Sequence, residues 1–128
     1  MGEAAEPGQD WALDWLAYAG GTEVGPRATV QLSRGEESRQ GEAAGTGLID
    51  AACQAVSDAL EVPGRVVAFR AYSTGPGSGA LGEVELDVEI GRRRVAVRAS
   101  STDVVEACAR AFLAALNQRR SVSRLSKS

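Results

Sequence analysis

The sequence feature that most constrains the fold is an apolar pattern that occurs twice, 56 residues apart. Both copies follow helical spacing, and the matched pairs are Ile49 and Val105, Ala52 and Cys108, Cys53 and Ala109, Val56 and Phe112, and Leu60 and Leu116. The same shift places Val30 on Leu86 and Leu32 on Val88, where apolar and polar residues alternate as they do in strands. The chain is therefore predicted to be a duplicated unit.

Each copy is predicted to contain three strands followed by one helix. In the first copy, alternation runs through residues 11–17 and 28–33, and a weaker strand at 38–43 precedes the helix that starts at Leu48. The second copy has strand faces at Val67, Phe69 and Ala71, at Val84, Leu86, Val88 and Ile90, and at Val95 and Val97, and then a helix from about Thr102.

A single three-stranded unit with one helix would leave apolar surface in water, so the two units are expected to pack together. The predicted fold class is α+β, with duplicated β-β-β-α units in pseudo-two-fold symmetry and helices packed on antiparallel sheet. Periodicity leaves open whether the sheets of the two units join.

The ends of the chain are predicted to lie outside the packed unit. Residues 1–9 are small and polar and read as a flexible leader, and residues 118–128 read as a flexible basic tail. The domain between them covers residues 10–117 and consists of repeats 10–62 and 65–117.

The composition excludes several kinds of site. The 128 residues contain no histidine, so Ser-His-Asp sites, Cys-His sites and His-containing zinc sites are impossible. Two cysteines cannot complete a four-thiolate zinc site. Cys53 and Cys108 lie in apolar helical patterns and are predicted to be buried thiols in a reducing cytoplasm. No metal or cofactor is expected.

Membrane and nucleic-acid partners are not expected. No apolar run reaches the roughly 18 residues that span a bilayer, and the first residues lack the basic region of a signal peptide. The net charge is -3, and no aromatic residues interleave with the late arginines, which favours a solvated turn and tail. Glycines in residues 75–82 match the spacing of a nucleotide fingerprint, but a strand follows them where a helix is required, so a flexible connection or lid is expected.

Two further patterns concern packing. Trp11 and Trp15 share one face of a regularly alternating strand and are predicted to be core or dimer-interface residues. The acidic strand face is predicted to pair with arginines on neighbouring strands. Its members are Glu83, Glu85, Asp87 and Glu89.

The two helix starts carry the residues best suited to a small ligand. Gly45 and Gly47 precede the first helix, and Asp103 and Glu106 stand at capping-box spacing at the second. When each helix start is considered by itself, capping of the helix is enough to explain these residues. Pseudo-two-fold symmetry would bring both positive helix ends toward one cleft, which is predicted to favour the carboxylate of an amino acid, with Asp50 or Asp103 available for its ammonium group.

Three ordered motifs occur at the helix starts and at the strand between them. They are Gly45-Thr46-Gly47-Leu48-Ile49-Asp50-Ala51, then Ala80-Leu81-Gly82-Glu83-Val84, then Ser101-Thr102-Asp103-Val104-Val105-Glu106-Ala107 followed by Ala115-Leu116-Asn117. Over about residues 11–117 the chain resembles the C-terminal allosteric, or dimerisation, domain of 2-isopropylmalate synthase and citramalate synthase.

The resemblance implies a regulatory module that is not itself an enzyme. The module would form a homodimer and bind leucine or a similar small carboxylate effector, a branched-chain amino acid, to inhibit a distant active site. The effector-binding residues that it implies are Gly45, Gly47, Ile49, Asp50, Ala51, Thr74, Ala80, Leu81, Ser101, Thr102 and Asp103.

The catalytic partner implied by the resemblance lies elsewhere. Parent synthases carry out their acetyl-CoA chemistry in a (β/α)8 barrel of about 250 residues, which 128 residues cannot hold. We therefore expect either a module excised from a synthase or a solitary protein that acts on a separate catalytic synthase subunit. Met1 and the natural-looking tail slightly favour the solitary protein.

Two other functions stay open. Leu48 stands where the family has proline, no aspartate precedes Ala80, and Arg98-Ala99 occupies a region where glycine is common. These departures favour a structural adaptor that keeps the dimer and has lost the effector. The other alternative is a small enzyme of specialised metabolism that uses Asp50, Asp103 or Tyr72 as an acid or base.

Overall fold

The computed structural model describes residues 10–20, 23–74 and 81–127, which form two β-β-β-α units. The elements are β1 (Ala12–Ala19), β2 (Arg27–Arg34), β3 (Glu37–Ala44), α1 (Leu48–Leu60), β4 (Arg65–Thr74), β5 (Leu81–Ile90), β6 (Arg93–Ser101) and α2 (Val104–Lys127). The first sheet has the order β1-β2-β3 and the second the order β4-β5-β6, with every neighbouring pair antiparallel. The α+β class and the duplication are confirmed, and the two sheets are separate.

The two units share one hydrophobic core. α1 packs on β2 and β3, α2 packs on β5 and β6, and the two helices pack on each other. Val56 of α1 and Phe112 of α2 are fully buried and belong to the same cluster. Neither unit therefore has a complete core of its own, as expected for a small β-β-β-α repeat.

The close contact between α1 and the first sheet depends on Gly41 in β3. A Cβ at Gly41 would collide with the carbonyl oxygen of Ala55 and would lie 2.7 Å from the backbone nitrogen of Ala59. Ala55 and Ala59 are buried, so small residues face each other across the contact. The helix ends at Glu61, which takes the left-handed conformation with φ 57°, before Pro63.

The first strand of each sheet contains a β-bulge. The bulge changes which residues face the core, so part of the predicted assignment of strand faces is wrong. The register of β1 on β2 shifts between Leu13 and Trp15, so Leu13 pairs with Leu32 and Trp15 pairs with Gln31. Trp15 is therefore 42% exposed on the outer face while Trp11 is buried, and the prediction that they share one face was wrong.

The bulge in β4 lies at the corresponding place. Val66, rather than the expected Val67, pairs with Val88, after which Phe69 and Ala71 return to the inner face. Val88 and Leu32 are 56 residues apart, so both bulges follow the duplication. Strict period-two alternation cannot reveal an inserted residue, because the insertion itself reverses the phase.

Trp11 is shielded at the edge of the sheet by two arginines. The guanidinium carbon atoms of Arg34 and Arg39 lie 4.7 and 5.3 Å from the centroid of its ring. Arg39 also donates to the Ala59 carbonyl oxygen near the end of α1, at 3.5 Å, where a positive charge is favourable.

On the acidic outer face of β5, Glu85 and Glu89 pair with arginines, as predicted for that face. Arg65 donates to Glu89 at 2.9 Å, and Arg98 donates to Glu85 at 2.8 Å through Nε. The bond from Arg98 lowers the pKa of the Glu85 carboxyl. These pairs are exposed, so they fix the outer surface of the second sheet and add little to stability.

α2 extends to Lys127, beyond the expected domain end at Asn117. The expectations for residues 1–9, for the glycine-rich loop at 75–80 and for residue 128 lie outside the described residues. The division into leader, domain and tail therefore stays a prediction. No helix in the described parts of the chain is long and apolar enough to cross a membrane.

Candidate functional site

The start of α1 is shaped by the glycines that precede it. Gly45 donates its N–H to the Pro26 carbonyl oxygen at 3.2 Å, which fastens the helix entry onto the loop before β2. A Cβ at Gly45 would lie 2.7 Å from the Ala51 nitrogen, so a larger residue does not fit there. Gly47 is the N-cap in an extended conformation, and a Cβ there would have no neighbour within 4 Å. Open space therefore lies beside the first turn of α1.

Asp50 stabilises the turn into α1. Its Oδ2 accepts the Thr46 N–H at 3.0 Å, and the helix has no side-chain N-cap. Asp50 and Ile49 are half-buried, whereas Ala51 is fully buried in the core. A ligand beside this turn would meet the accessible parts of Gly47, Ile49 and Asp50, while Ala51 has a packing role.

The start of α2 is capped by a carboxylate. Oδ1 of Asp103 accepts the N–H groups of Val105 at 2.8 Å and Glu106 at 3.3 Å. The expected capping box is only half formed, because the Asp103 N–H donates to Ser101 Oγ at 3.1 Å and Glu106 pairs with Arg110 at 2.7 Å. Asp103 is thus a confirmed N-cap.

The second oxygen of Asp103 binds a residue that the sequence did not point to. Tyr18, near the end of β1, donates its hydroxyl to Asp103 Oδ2 at 2.8 Å. This bond raises the pKa of Tyr18 above its usual value of 10. Tyr18 and Asp103 lie in different halves, and no motif joins them. No signal in the sequence indicates it, because only the bulge before Trp15 turns Tyr18 to the inner face, and alternation does not reveal that bulge.

One end of the second sheet lies beside the start of α2. Thr74 and Leu81 are paired across β4 and β5, and the next residue, Gly82, pairs with Ser101. A Cβ on Gly82 would lie 3.3 Å from a methyl group of Val104. The structure thus brings Thr74 and Leu81 near the predicted residues Ser101, Thr102 and Asp103, and Ala80 lies outside the described residues.

The two groups of predicted residues lie at the same end of the first sheet. Tyr18, which reaches Asp103, pairs with Ala28, and Ala28 pairs with Ala43. Gly45, at the entry to α1, follows Ala43 by two residues. β1 is hydrogen-bonded to the start of α2, and β3 leads into α1. Only β2 therefore lies between these two strands.

A shallow cavity of about 260 Å³ opens at this end of the first sheet. Its lining residues are Ala17, Tyr18, Ala19, Arg27, Ala28, Thr29 and Glu42. Arg27 and Glu42 form an exposed ion pair at 3.4 Å on its rim. By the strand register, Ala17, Thr29 and Glu42 lie on the outer face of the sheet, so this cavity is on the side of the sheet opposite the helices.

The residues suggested for acid or base catalysis are not brought together. The Tyr72 hydroxyl accepts a hydrogen bond from Arg98 at 3.2 Å on the outer face of the second sheet. Asp50 instead accepts the Thr46 N–H in the turn before α1. Among the described residues, no cluster of three potential metal ligands occurs.

The two thiols are not poised for chemistry either. Cys53 and Cys108 are free and buried between the helices, and Cys53 Sγ lies 3.9 Å from the Cys108 carbonyl oxygen. Burial raises the pKa of Cys108 to about 11 and raises that of Cys53 as well. Both therefore stay protonated at neutral pH, and their predicted role as buried thiols is confirmed.

Comparison with known families gives a match along most of the chain. A family model described as the LeuA allosteric (dimerisation) domain matches residues 2–119.

Similar proteins are named 2-isopropylmalate synthase. The relative from Microcystis aeruginosa is 34% identical over 107 residues, which are 83% of this chain and 20% of the relative. That from Erwinia tasmaniensis is 32% identical over 117 residues, 91% of this chain and 22% of the relative. That from Synechococcus sp. (strain RCC307) is 42% identical over 90 residues, 70% of this chain and 17% of the relative. The chain thus spans about a fifth of these relatives.

Proposed function

Since the chain belongs to the family of LeuA allosteric (dimerisation) domains, we propose that it is a regulatory module that binds a small amino acid of the leucine type and forms a homodimer. The observation that carries the proposal is the match over residues 2–119 to a family described as both allosteric and dimerising. The relatives are named synthases, and the chain covers only a fifth of them. The proposed target of regulation is therefore a catalytic domain or subunit that lies outside the matched part.

The proposed effector site is the end of the first sheet where both helices start. The residues proposed for it are Gly45, Gly47, Ile49, Asp50 and Ala51 near the start of α1, and Thr74, Leu81, Ser101, Thr102 and Asp103 near the start of α2. Ala80, outside the described residues, is proposed with them from the motif alone. Backbone N–H groups and the positive ends of the helices suit the carboxylate of an amino acid. The Asp103 carboxylate suits its ammonium group, and the half-buried Ile49 offers an apolar contact for an aliphatic side chain.

Calorimetric titration of the full chain with leucine, isoleucine and valine tests this proposal. We expect saturable binding of at least one of them. Two variants then locate the site. Gly47→Val adds bulk where a Cβ has no neighbour and the backbone is extended, so binding should weaken at least about ten-fold while the fold is retained. Asp103→Asn keeps an N-cap acceptor but removes the charge, and it should weaken binding similarly.

The control variant is Ser38→Val, which alters an exposed residue at the far end of β3. Its affinity for the effector should equal that of the unmodified chain. Unchanged affinity in both site variants would move the site elsewhere. A well-folded dimer that binds none of the three amino acids would instead favour the structural adaptor.

The buried free thiols fit a reducing compartment, and we propose the cytoplasm as its location.

A further inference from the structure

The first strand of one half is tied to the helix of the other half at both of its ends. At one end, Asn117 of α2 accepts the Trp11 N–H at 3.0 Å and donates to the Trp11 carbonyl oxygen at 3.1 Å. At the other end, Tyr18 donates to Asp103 at 2.8 Å. The position of β1 is therefore coupled to α2 through hydrogen bonds as well as through packing.

The second tie is absent from the other half of the duplication. Tyr18 pairs with Ala28, and the residue 56 positions after Ala28 is Val84, which pairs with Ala71. The residue 56 positions before Asp103 is Gly47. An alanine and a glycine have no side-chain donor or acceptor, so the bond between Tyr18 and Asp103 is not a by-product of the repeated fold.

The bond occupies the one carboxylate oxygen that the helix does not use. Asp103 Oδ1 is engaged by the N–H groups at the start of α2, and Oδ2 accepts only the Tyr18 hydroxyl among the hydrogen bonds of the described residues. An ammonium group that binds the Asp103 carboxylate at the proposed effector site needs that same oxygen. Tyr18 is 39% exposed, so its side chain can leave Asp103 without opening the core.

We propose that Tyr18 is a latch: its hydroxyl holds Asp103 Oδ2 in the unliganded chain, and the ammonium group of the effector displaces it and frees the end of β1 from α2. This inference rests on the proposed function. β1 is hydrogen-bonded to β2 of the first half, and Tyr18 joins it to α2 of the second half. Effector binding at the start of α2 would therefore change the contact between the two halves. The ligand shifts this equilibrium only through its preference for the released arrangement.

The variant Tyr18→Phe tests the latch in the full chain, with leucine as the probe. It removes the hydroxyl and keeps the ring, so the effector no longer has to break a hydrogen bond. Calorimetry should show leucine binding about five-fold more tightly than to the unmodified chain. The matched control is Tyr72→Phe, which removes the hydroxyl of the other tyrosine, 38% exposed on the outer face of the second sheet. Its affinity should not change.

A second readout follows the tyrosines directly. The chain has two tyrosines, so in protein labelled with ¹³C-tyrosine the two ring Cζ signals can be assigned with the two phenylalanine variants. Saturation with leucine at neutral pH should move the Tyr18 signal to the position of a solvent-exposed phenol and leave the Tyr72 signal in place. A residue with a merely structural role would keep its signal.

The outcomes separate the latch from the proposed function. Equal or weaker leucine affinity in Tyr18→Phe, or a Tyr18 signal unmoved at saturation, overturns the latch and leaves effector binding standing. Leucine binding seen only in Tyr18→Phe supports the latch in its strongest form. Absence of binding in the unmodified chain and in both variants overturns the proposed function and the latch together.

Discussion

Single residues decide how closely the helices approach the sheets and what holds their ends. Gly41 permits α1 to lie directly on β3, Asp103 caps α2, and Asn117 binds both backbone groups of Trp11. Each contact depends on one particular side chain or on its absence. Substitutions at these positions therefore have effects that residue class alone does not predict.

Gly41→Ala should strongly destabilise the protein. The added methyl group would overlap the Ala55 carbonyl oxygen and crowd the Ala59 nitrogen, and both are backbone atoms that cannot rotate away. The expected loss in the free energy of unfolding is about 3 kcal/mol, measured by urea denaturation. Gly47→Ala is the matched control, since its Cβ meets open space, and it should lose only about 0.5 to 1 kcal/mol, the N-cap preference for glycine over alanine. Equal losses in both variants would contradict the packing of α1 on β3.

Tyr18 should make a contribution to stability that disappears at alkaline pH. Its pKa is raised in the folded chain, so the stabilisation is fully present below the unfolded value near 10 and is lost as the pH rises through the raised value. Urea denaturation of the unmodified chain and of Tyr18→Phe at pH 8 and pH 11 measures the effect. The unmodified chain should be the more stable at pH 8, and its advantage should shrink at pH 11. An advantage that does not depend on pH would contradict the role of the hydroxyl.

At the scale of elements, the bulges in β1 and β4 determine which side chains of these strands face the core. β1 and β4 each begin a unit, and each is an edge strand whose extra residue rotates the following side chains to the opposite face. In β1 the rotation puts Trp15 outside and Leu16 and Tyr18 inside. Without it, the hydroxyl of Tyr18 would not face α2.

Deletion of Asp14 should be tolerated, because Asp14 is the extra residue. Regular alternation then keeps Leu13 and Leu16 on the inner face, and the main loss is the bond from Ser33 Oγ to Asp14, worth about 1 kcal/mol. Deletion of Ala17 instead leaves the bulge and reverses the phase between Leu16 and Tyr18, so it should abolish cooperative unfolding. Thermal unfolding followed by circular dichroism compares the two. Similar damage from both deletions would argue against the bulge.

At the scale of the whole molecule, each helix covers the second and third strands of its own sheet, and the first strands are less well covered. Phe69 of β4 lies on the inner face opposite Leu86 and is still 46% exposed. An aromatic side chain exposed beside a buried face suits an interface. A second copy of the chain is the occupant that we expect there, since the family is described as dimerising.

Phe69→Asp should therefore convert the proposed dimer to a monomer without unfolding the chain. The charge would be buried without a partner in the dimer and hydrated in the monomer. Sedimentation at a range of concentrations measures the mass. Trp15→Asp is the control, because Trp15 is similarly exposed on the outer face of the other sheet and should leave the dimer intact. A dimer that survives Phe69→Asp and is lost in Trp15→Asp would place the interface on the first sheet.

The sequence by itself determined the types and order of the elements, the duplication, the cap at Asp103, the buried thiols and the family. These properties follow from periodicity, capping preference and local motifs, which act over a few residues. The resemblance of the sequence to a known family also implied a set of candidate site residues.

Only the tertiary structure decided which strand faces are buried, how the two halves are joined and which residue occupies Asp103. Trp11 and Trp15 point to opposite sides because one extra residue reverses a strand. Tyr18 meets Asp103 because β1 of one half packs against α2 of the other. Contacts between residues 85 positions apart leave no local pattern, since they arise only when separate elements share one core.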